Sequence, residues 1–275
     1  MKLTSELVPD TRHWRLSIMF GQAAMEVVMY STVEDNSMIH SRIPLDSSAT
    51  DYLAAVEEAV YRNPLLVNGC FDRVCCLSTA TRYAVMPADL DDSATRAVAQ
   101  AMFGDKVGGD SFEIITETTS DPCQTLVFAE NKPLVSFWRR TFTNPGIHHR
   151  MFPLLEYFRG RNRLGNNGKM YAHFTGSSVD IIVFGRDTAT FVNSFRYREP
   201  VDALYYIMAA RKQCGLSAHD GELLLAGDAA TRKAIMPMLR QYVAAVMPAI
   251  FPSALFRAGK EALTAPFPLV ILPLL

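Results

Sequence analysis

One unit occurs twice in this chain, and that repeat constrains the fold more than any other feature. Leu16 to Tyr30, LSIMFGQAAMEVVMY, is rich in strand-forming residues and is broken by Gly21, so it reads as two strands about a tight turn. Met38 to Leu45 supplies a third strand after the polar break Glu34-Asp35-Asn36. Asp51 to Tyr61 follows, with Leu53, Val56 and Val60 at helical spacing. The second half repeats this order. Met170 to Phe184, MYAHFTGSSVDIIVF, gives two strands about Gly176, and Arg186-Asp187 forms a turn. Thr188 to Tyr197 gives the third strand, and Val201 to Lys212 gives a helix entered through Glu199-Pro200. Matching Gly21 to Gly176 sets Met25-Glu26-Val27-Val28 beside Val179-Asp180-Ile181-Ile182 after a one-residue gap. The expectation is an α/β protein of two related lobes, residues 1–160 and 161–275.

Each half then returns to strand and helix. Val74 to Ser78 and Arg82 to Met86 read as strands, and Asp91 to Met102 as a helix. Phe112 to Glu117 and Gln124 to Ala129 read as a hairpin, and Pro133 to Phe142 and Ile147 to Phe158 as helices. Gly160 to Gly168, GRNRLGNNG, is the most linker-like stretch. Glu222 to Ala226 is a buried strand running into Gly227-Asp228, and Ala229 to Val243 is an amphipathic helix.

With 49% hydrophobic and 20% charged residues the chain has the balance of a folded soluble protein. A net charge of -1 leaves no global field to attract nucleic acid, so RNA binding would need a local patch. Arg139 to Lys169 offers one, with arginines among Phe142, Phe152 and Tyr157, although buried aromatics and solvated arginines on amphipathic helices give the same spacing. Five cysteines without a CxxC pair argue against a disulfide framework and fit a reducing compartment. Glu6, Pro9 and Asp10 interrupt any signal-peptide pattern, and the apolar tail from Ala265, with its three prolines, is too short to span a bilayer. A cytoplasmic protein without membrane insertion is expected, its tail packed on the core.

Three short stretches carry a resemblance: LSIMF at Leu16 to Phe20, FVNSFRYREPVDALYYI at Phe191 to Ile207, and LLLAGDAA at Leu223 to Ala230. With the repeat, they resemble the superfamily of actin, sugar kinases and heat-shock chaperones. More narrowly they resemble a bacterial family of unknown function, known chiefly from Bacteroides and its relatives, that has this fold. The resemblance implies an actin-like (ribonuclease H-like) duplicated fold with a nucleotide cleft, in which Gly21, Gly176 and Gly227 match the nucleotide-contacting glycines. It also implies that the acid at the end of each lobe's first strand, which binds magnesium, is replaced here by Met19 and Phe174. Neither side chain can ligate a hard cation or act as a base, so no ATPase activity is expected. Glu26 and Asp180 lie past the turns on the outgoing strands.

Other motifs fail on spacing. No Walker loop and no GxGxxG is present. His148-His149 reads as a polar helix start rather than a metal site. His173 reads as a hydrogen-bonded sheet histidine. Cys75-Cys76 reads as two structural thiols facing opposite sides of a sheet, and Ser177-Ser178 lacks a nucleophile frame. The leading expectation is a non-catalytic scaffold or regulator that binds a partner protein. A nucleotide or small-ligand sensor without efficient hydrolysis is the alternative, with ATP or another nucleotide as its ligand, and RNA association is the weaker one.

Overall fold

The computed structural model describes residues 3, 8, 10–33, 38–104, 111–120, 124–163, 168–185, 188–256 and 258–275. Glu6, Pro9, the break at Glu34-Asp35-Asn36, Cys123, the centre of the linker-like segment and the turn at Arg186-Asp187 lie outside the described residues. The chain opens on an antiparallel meander, β1 (Trp14–Phe20), β2 (Ala24–Ser31) and β3 (Met38–Pro44). Helices α1 (Tyr52–Tyr61) and α2 (Pro64–Asn68) lead to β4 (Arg73–Ser78), which returns parallel to β1. An excursion follows through β5 (Tyr83–Pro87), α3 (Asp92–Phe103), β6 (Phe112–Thr118) and β7 (Gln124–Asn131), whose strands form a small sheet of order β5-β7-β6. Helix α4 (Lys132–Thr141) leads to β8 (Gly146–His149), which pairs parallel with β4 and completes a sheet of order β3-β2-β1-β4-β8.

Beyond α5 (Met151–Asn162) the same order recurs. Strands β9 (Lys169–Phe174), β10 (Ser178–Phe184) and β11 (Ala189–Arg196) form the second meander, and α6 (Pro200–Gln213), β12 (Glu222–Gly227), α7 (Ala229–Leu239) and β13 (Val246–Pro248) complete it. The sheet order is β11-β10-β9-β12-β13, matching the first strand for strand. The helix after each meander starts where its sequence directs. Asp51 caps α1 by accepting from Ala54 N–H at 2.8 Å, and Glu199 caps α6 in a capping box, Asp202 accepting from Glu199 N–H at 3.1 Å across Pro200.

Two expectations are corrected. Ile147 to Phe158 is not one helix: Gly146–His149 is a strand, because its backbone completes the ladder along Cys75–Ser78, and the helix starts only after Arg150. Helix α7 stops at Leu239, two residues past Pro237.

Strand alternation gives each sheet two buried faces. Leu16, Ile18 and Phe20 of β1 face α1 and α4, and Met170, Ala172 and Phe174 of β9 share a core with α6 and α7. The opposite faces turn toward each other. Met19, Val28, Cys75 and Leu77 pack against Leu269 and Val270 of α8 (Phe267–Ile271). Tyr171, Ile182 and Leu224 pack against Leu154 and Phe158 of α5 and Ile271 of α8. The apolar tail thus packs on the core as expected, wedged with α5 between the two sheets.

Candidate functional site

The two hairpins define the site, and their pairing corrects the register read from the glycines. In the first, Phe20 pairs with Met25 and Gly21 N–H donates to Ala24 O at 3.1 Å. In the second, Phe174 pairs with Val179 and Thr175 N–H donates to Ser178 O at 2.8 Å. Phe174 lies 154 positions after Phe20, and Val179 lies 154 after Met25, so the halves superpose without a gap. Thr175, not Gly176, occupies the place of Gly21. A tyrosine from the segment that follows each meander confirms it: Tyr52 OH donates to Gly21 O at 3.2 Å, and Tyr197 OH donates to Thr175 O at 2.6 Å.

The shift of one residue turns a side chain to the other face of its sheet. Met19 does face the interlobe side, but Phe174 lies among the helices of the second lobe, and the counterpart of Met19 is His173. Directly across each hairpin from these positions stands an acid: Met19 pairs with Glu26, and His173 pairs with Asp180. Interlobe carboxylates are therefore present at equivalent places, one strand away from where the glycine match put them.

Both carboxylates are already partnered. Glu26 accepts from Arg42 Nη1 at 2.8 Å and contacts His40 Nε2 at 2.9 Å. Asp180 is fully buried. One oxygen meets Arg150 and, at 2.9 Å, His173 Nδ1; the other accepts from Ser194 Oγ at 2.6 Å. Burial alone would raise the Asp180 pKa, but the Arg150 charge and the His173 hydrogen bond hold it well below the usual carboxylate range. Ser194 also contacts Tyr83 OH at 2.6 Å and accepts from Arg150 Nη2 at 3.2 Å. Arg150 leads into α5 from the first sheet, Tyr83 belongs to the small sheet, and Asp180 and Ser194 belong to the second. The network therefore pins three parts of the chain together.

This arrangement does not fit a magnesium-bound phosphate. A hydrated magnesium ion needs carboxylate oxygens that are not already neutralised, whereas here protein cations neutralise them. Among the described residues no group of three or more His, Cys, Asp or Glu could hold a metal ion. In the second turn two N–H groups that could cradle phosphate oxygens bond internally: Thr175 Oγ1 accepts from Ser178 N–H at 2.9 Å and from Ser177 N–H at 3.4 Å. Gly227 has a φ of +83°, and a Cβ there would sit 2.1 Å from Phe174 O. This glycine is needed for the close approach of β12 to β9. Just beyond it Asp228 caps α7, accepting from Thr231 N–H at 2.7 Å, so a carboxylate occupies the helix N-terminus. Nothing lies within 4 Å of a Cβ built on Gly176.

The adjacent histidines differ sharply. His149 is fully buried, donating through Nε2 to Ala80 O at 2.8 Å and accepting at Nδ1 from Met151 N–H at 3.2 Å. With both nitrogens so used the ring is neutral, and burial together with the Arg150 charge lowers its pKa to about 3. His148 Nδ1 lies 2.5 Å from Glu117 of β6. Burial opposes a charge on His148, but the neighbouring Cys75 sulfur and the Glu117 carboxylate outweigh it and lift its pKa to about 9. In the basic stretch the arginines are largely tied up: Arg139 pairs with Glu113, Arg140 with Glu57, and Arg159 is buried beside Glu156. Phe137, Trp138, Phe142 and Phe158 are buried. The sequence reading missed Arg150 and the roles of Asp180 and Ser194. The 154-residue offset, applied without a gap, would have put Asp180 opposite His173.

Duplicated meander sheets of identical order, with helices between them, define the actin-like ATPase fold, a ribonuclease H-like α/β architecture. A protein from Bacteroides thetaiotaomicron, described as having an actin-like ATPase fold and unknown function, is similar with a TM-score of 0.74 and 20% identity over 87% of this chain and 91% of that one. A chain of the PilM-PilN type IV pilus biogenesis complex is similar with a TM-score of 0.56 and 11% identity over 93% of this chain and 97% of that one. At these identities the likeness is one of fold. Residues 8–246 match the family described as Protein of unknown function (DUF3822), and the chain belongs to that family. No curated protein matches it. Among the described residues no helix is long and apolar enough to cross a membrane.

Proposed function

We propose that this protein is a non-catalytic member of the actin-like fold, a scaffold or regulator that works by contact with a partner protein in the cytoplasm. Its two lobes, residues 1–160 and 161–275, form one unit for that purpose. The reading is carried by Asp180, an interlobe carboxylate fully buried, ion-paired with Arg150 and hydrogen-bonded to His173. Magnesium-assisted phosphoryl transfer depends on charge neutralisation by the metal and on orientation of the nucleophile. Here the acid that faces the cleft holds the lobes to each other instead. Gly21, Gly176 and Gly227 serve as turn and packing glycines in this reading, not as nucleotide contacts. A similar fold occurs in a two-protein pilus complex, which sets a precedent for that neighbour.

The test pairs two measurements on the full-length chain. Affinity capture from cells that express it is expected to retain a protein in stoichiometric amount, and the Arg150→Met variant is expected to lose it. Magnesium-dependent ATP turnover near the usual enzymatic range of about 1 per second or more would contradict the reading. So would capture that returns no stoichiometric protein.

A further inference from the structure

The two halves of the chain divide its charge unevenly. Residues 1–160 hold 20 acids against 14 Lys and Arg, and residues 161–275 hold 8 acids against 13. The acids concentrate in the excursion of residues 83–131, where nine stand against two bases. Helix α3 lies in that excursion. Its inner side, Thr95 and Ala99, is buried, while Val98 and Met102 are 40% and 61% exposed. Exposed Asp89, Asp91 and Asp92 gather at its start, Asp91 accepting from Ala94 N–H at 2.7 Å. In the second lobe Ala203, Ile207 and Ala210 bury the inner side of α6, and Val201 and Tyr205 stand 55% and 68% exposed. Tyr205 is braced from below: its ring meets Tyr206 edge-on at 5.6 Å, and Tyr206 stacks on Phe195 at 4.7 Å. Lys212 is exposed in the last turn of α6.

The outer rows of these two helices match in spacing. Asp91, Val98 and Met102 follow one another by seven and then four residues, and so, read backwards, do Lys212, Tyr205 and Val201. Steps of seven and four return to one side of a helix, about 10.5 Å and about 6 Å along its axis. We propose that α3 of one copy docks antiparallel on α6 of a second copy, Asp91 meeting Lys212, Val98 meeting Tyr205 and Met102 meeting Val201. The apolar pairs leave water, and the acidic excursion meets the lobe with the basic excess. Antiparallel axes also set the positive end of each helix dipole beside the negative end of the other. The two faces differ, so the contact is heterologous: each copy keeps one face free, and association runs past the dimer. One helix face is a small area, so the contact is weak and sensitive to salt. It stands independently of any partner protein.

Analytical ultracentrifugation of the purified full-length chain tests this with nothing else present. At low salt the average mass is expected to rise with concentration from 30.6 kDa to beyond twice that value. It should fall back in about 1 M salt, where the screening length is about 3 Å. Val98→Glu on α3, and Tyr205→Glu or Lys212→Glu on α6, are each expected to weaken association at least about tenfold, by setting a like or unpaired charge across the contact. Val98→Glu mixed with Tyr205→Glu separates this contact from any other, because each variant retains the face that the other lacks. That mixture is expected to stop at a one-to-one dimer. Met102→Glu and Lys212→Glu form a second such pair, and circular dichroism shows which variants keep the fold. A wild-type chain that stays monomeric at every concentration would overturn the proposal. So would folded variants that associate as the wild type does, or folded pairs that form no mixed dimer.

Discussion

Arg150→Met would leave the Asp180 carboxylate buried without its cation, and removing one partner of such a pair costs about 3–5 kcal/mol. Thermal denaturation should register that loss, while Arg150→Met combined with Asp180→Leu should recover much of it, since an apolar pair carries no desolvation cost. A double variant as unstable as the single one would assign the loss to packing. The two histidines set a pH dependence of opposite signs. His149 stays neutral in the fold with a pKa of about 3, so below about 6.5 only the unfolded chain gains a proton there, and stability falls on acidification. His148 has a pKa raised to about 9; its contribution is complete below about 6.5 and is lost as pH rises through 9. Chemical denaturation across pH should therefore show maximal stability near 6.5, and His149→Gln should flatten the acid limb.

At the scale of elements, the glycines separate geometry from resemblance. Gly227→Ala forces a side chain into positive φ and against Phe174 O, at a cost of about 1–3 kcal/mol. Gly176→Ala enters open space and should change stability by less than about 0.5 kcal/mol, as measured by denaturant titration. Equal losses would restore Gly176 as a constrained turn. The meanders and their helices were legible because alternating apolar strands, turn glycines and the acids before α1 and α6 are local signals. Strand β8 was not, since four residues carry no period and only pairing with β4 defines them. The one-residue slip between Gly21 and Gly176 arose because a glycine is a weak marker of register: Thr175 can occupy the equivalent position by accepting turn N–H groups at its own hydroxyl. That slip hid the site, sending attention to Phe174 in the helical core rather than to His173 and Asp180.

Over the whole molecule, the space between the sheets is occupied by the protein itself. Helices α5 and α8 fill the apolar part, and the network around Asp180 fills the polar part, joining first sheet, small sheet and second sheet. No stretch of sequence announces this, because Tyr83, Arg150 and the cross-strand pair Asp180–Ser194 are far apart along the chain and meet only through the fold. The duplication is preserved to the residue, and its two equivalent acids are both ion-paired within the protein.

Thermal unfolding of the full-length chain with and without millimolar MgATP tests this most directly. A ligand at a hundred times its Kd stabilises a fold by about 2.7 kcal/mol. The account predicts no shift with MgATP. A saturable upward shift that Asp180→Asn abolishes would contradict it, by placing the nucleotide on the carboxylate that the fold has here assigned to Arg150.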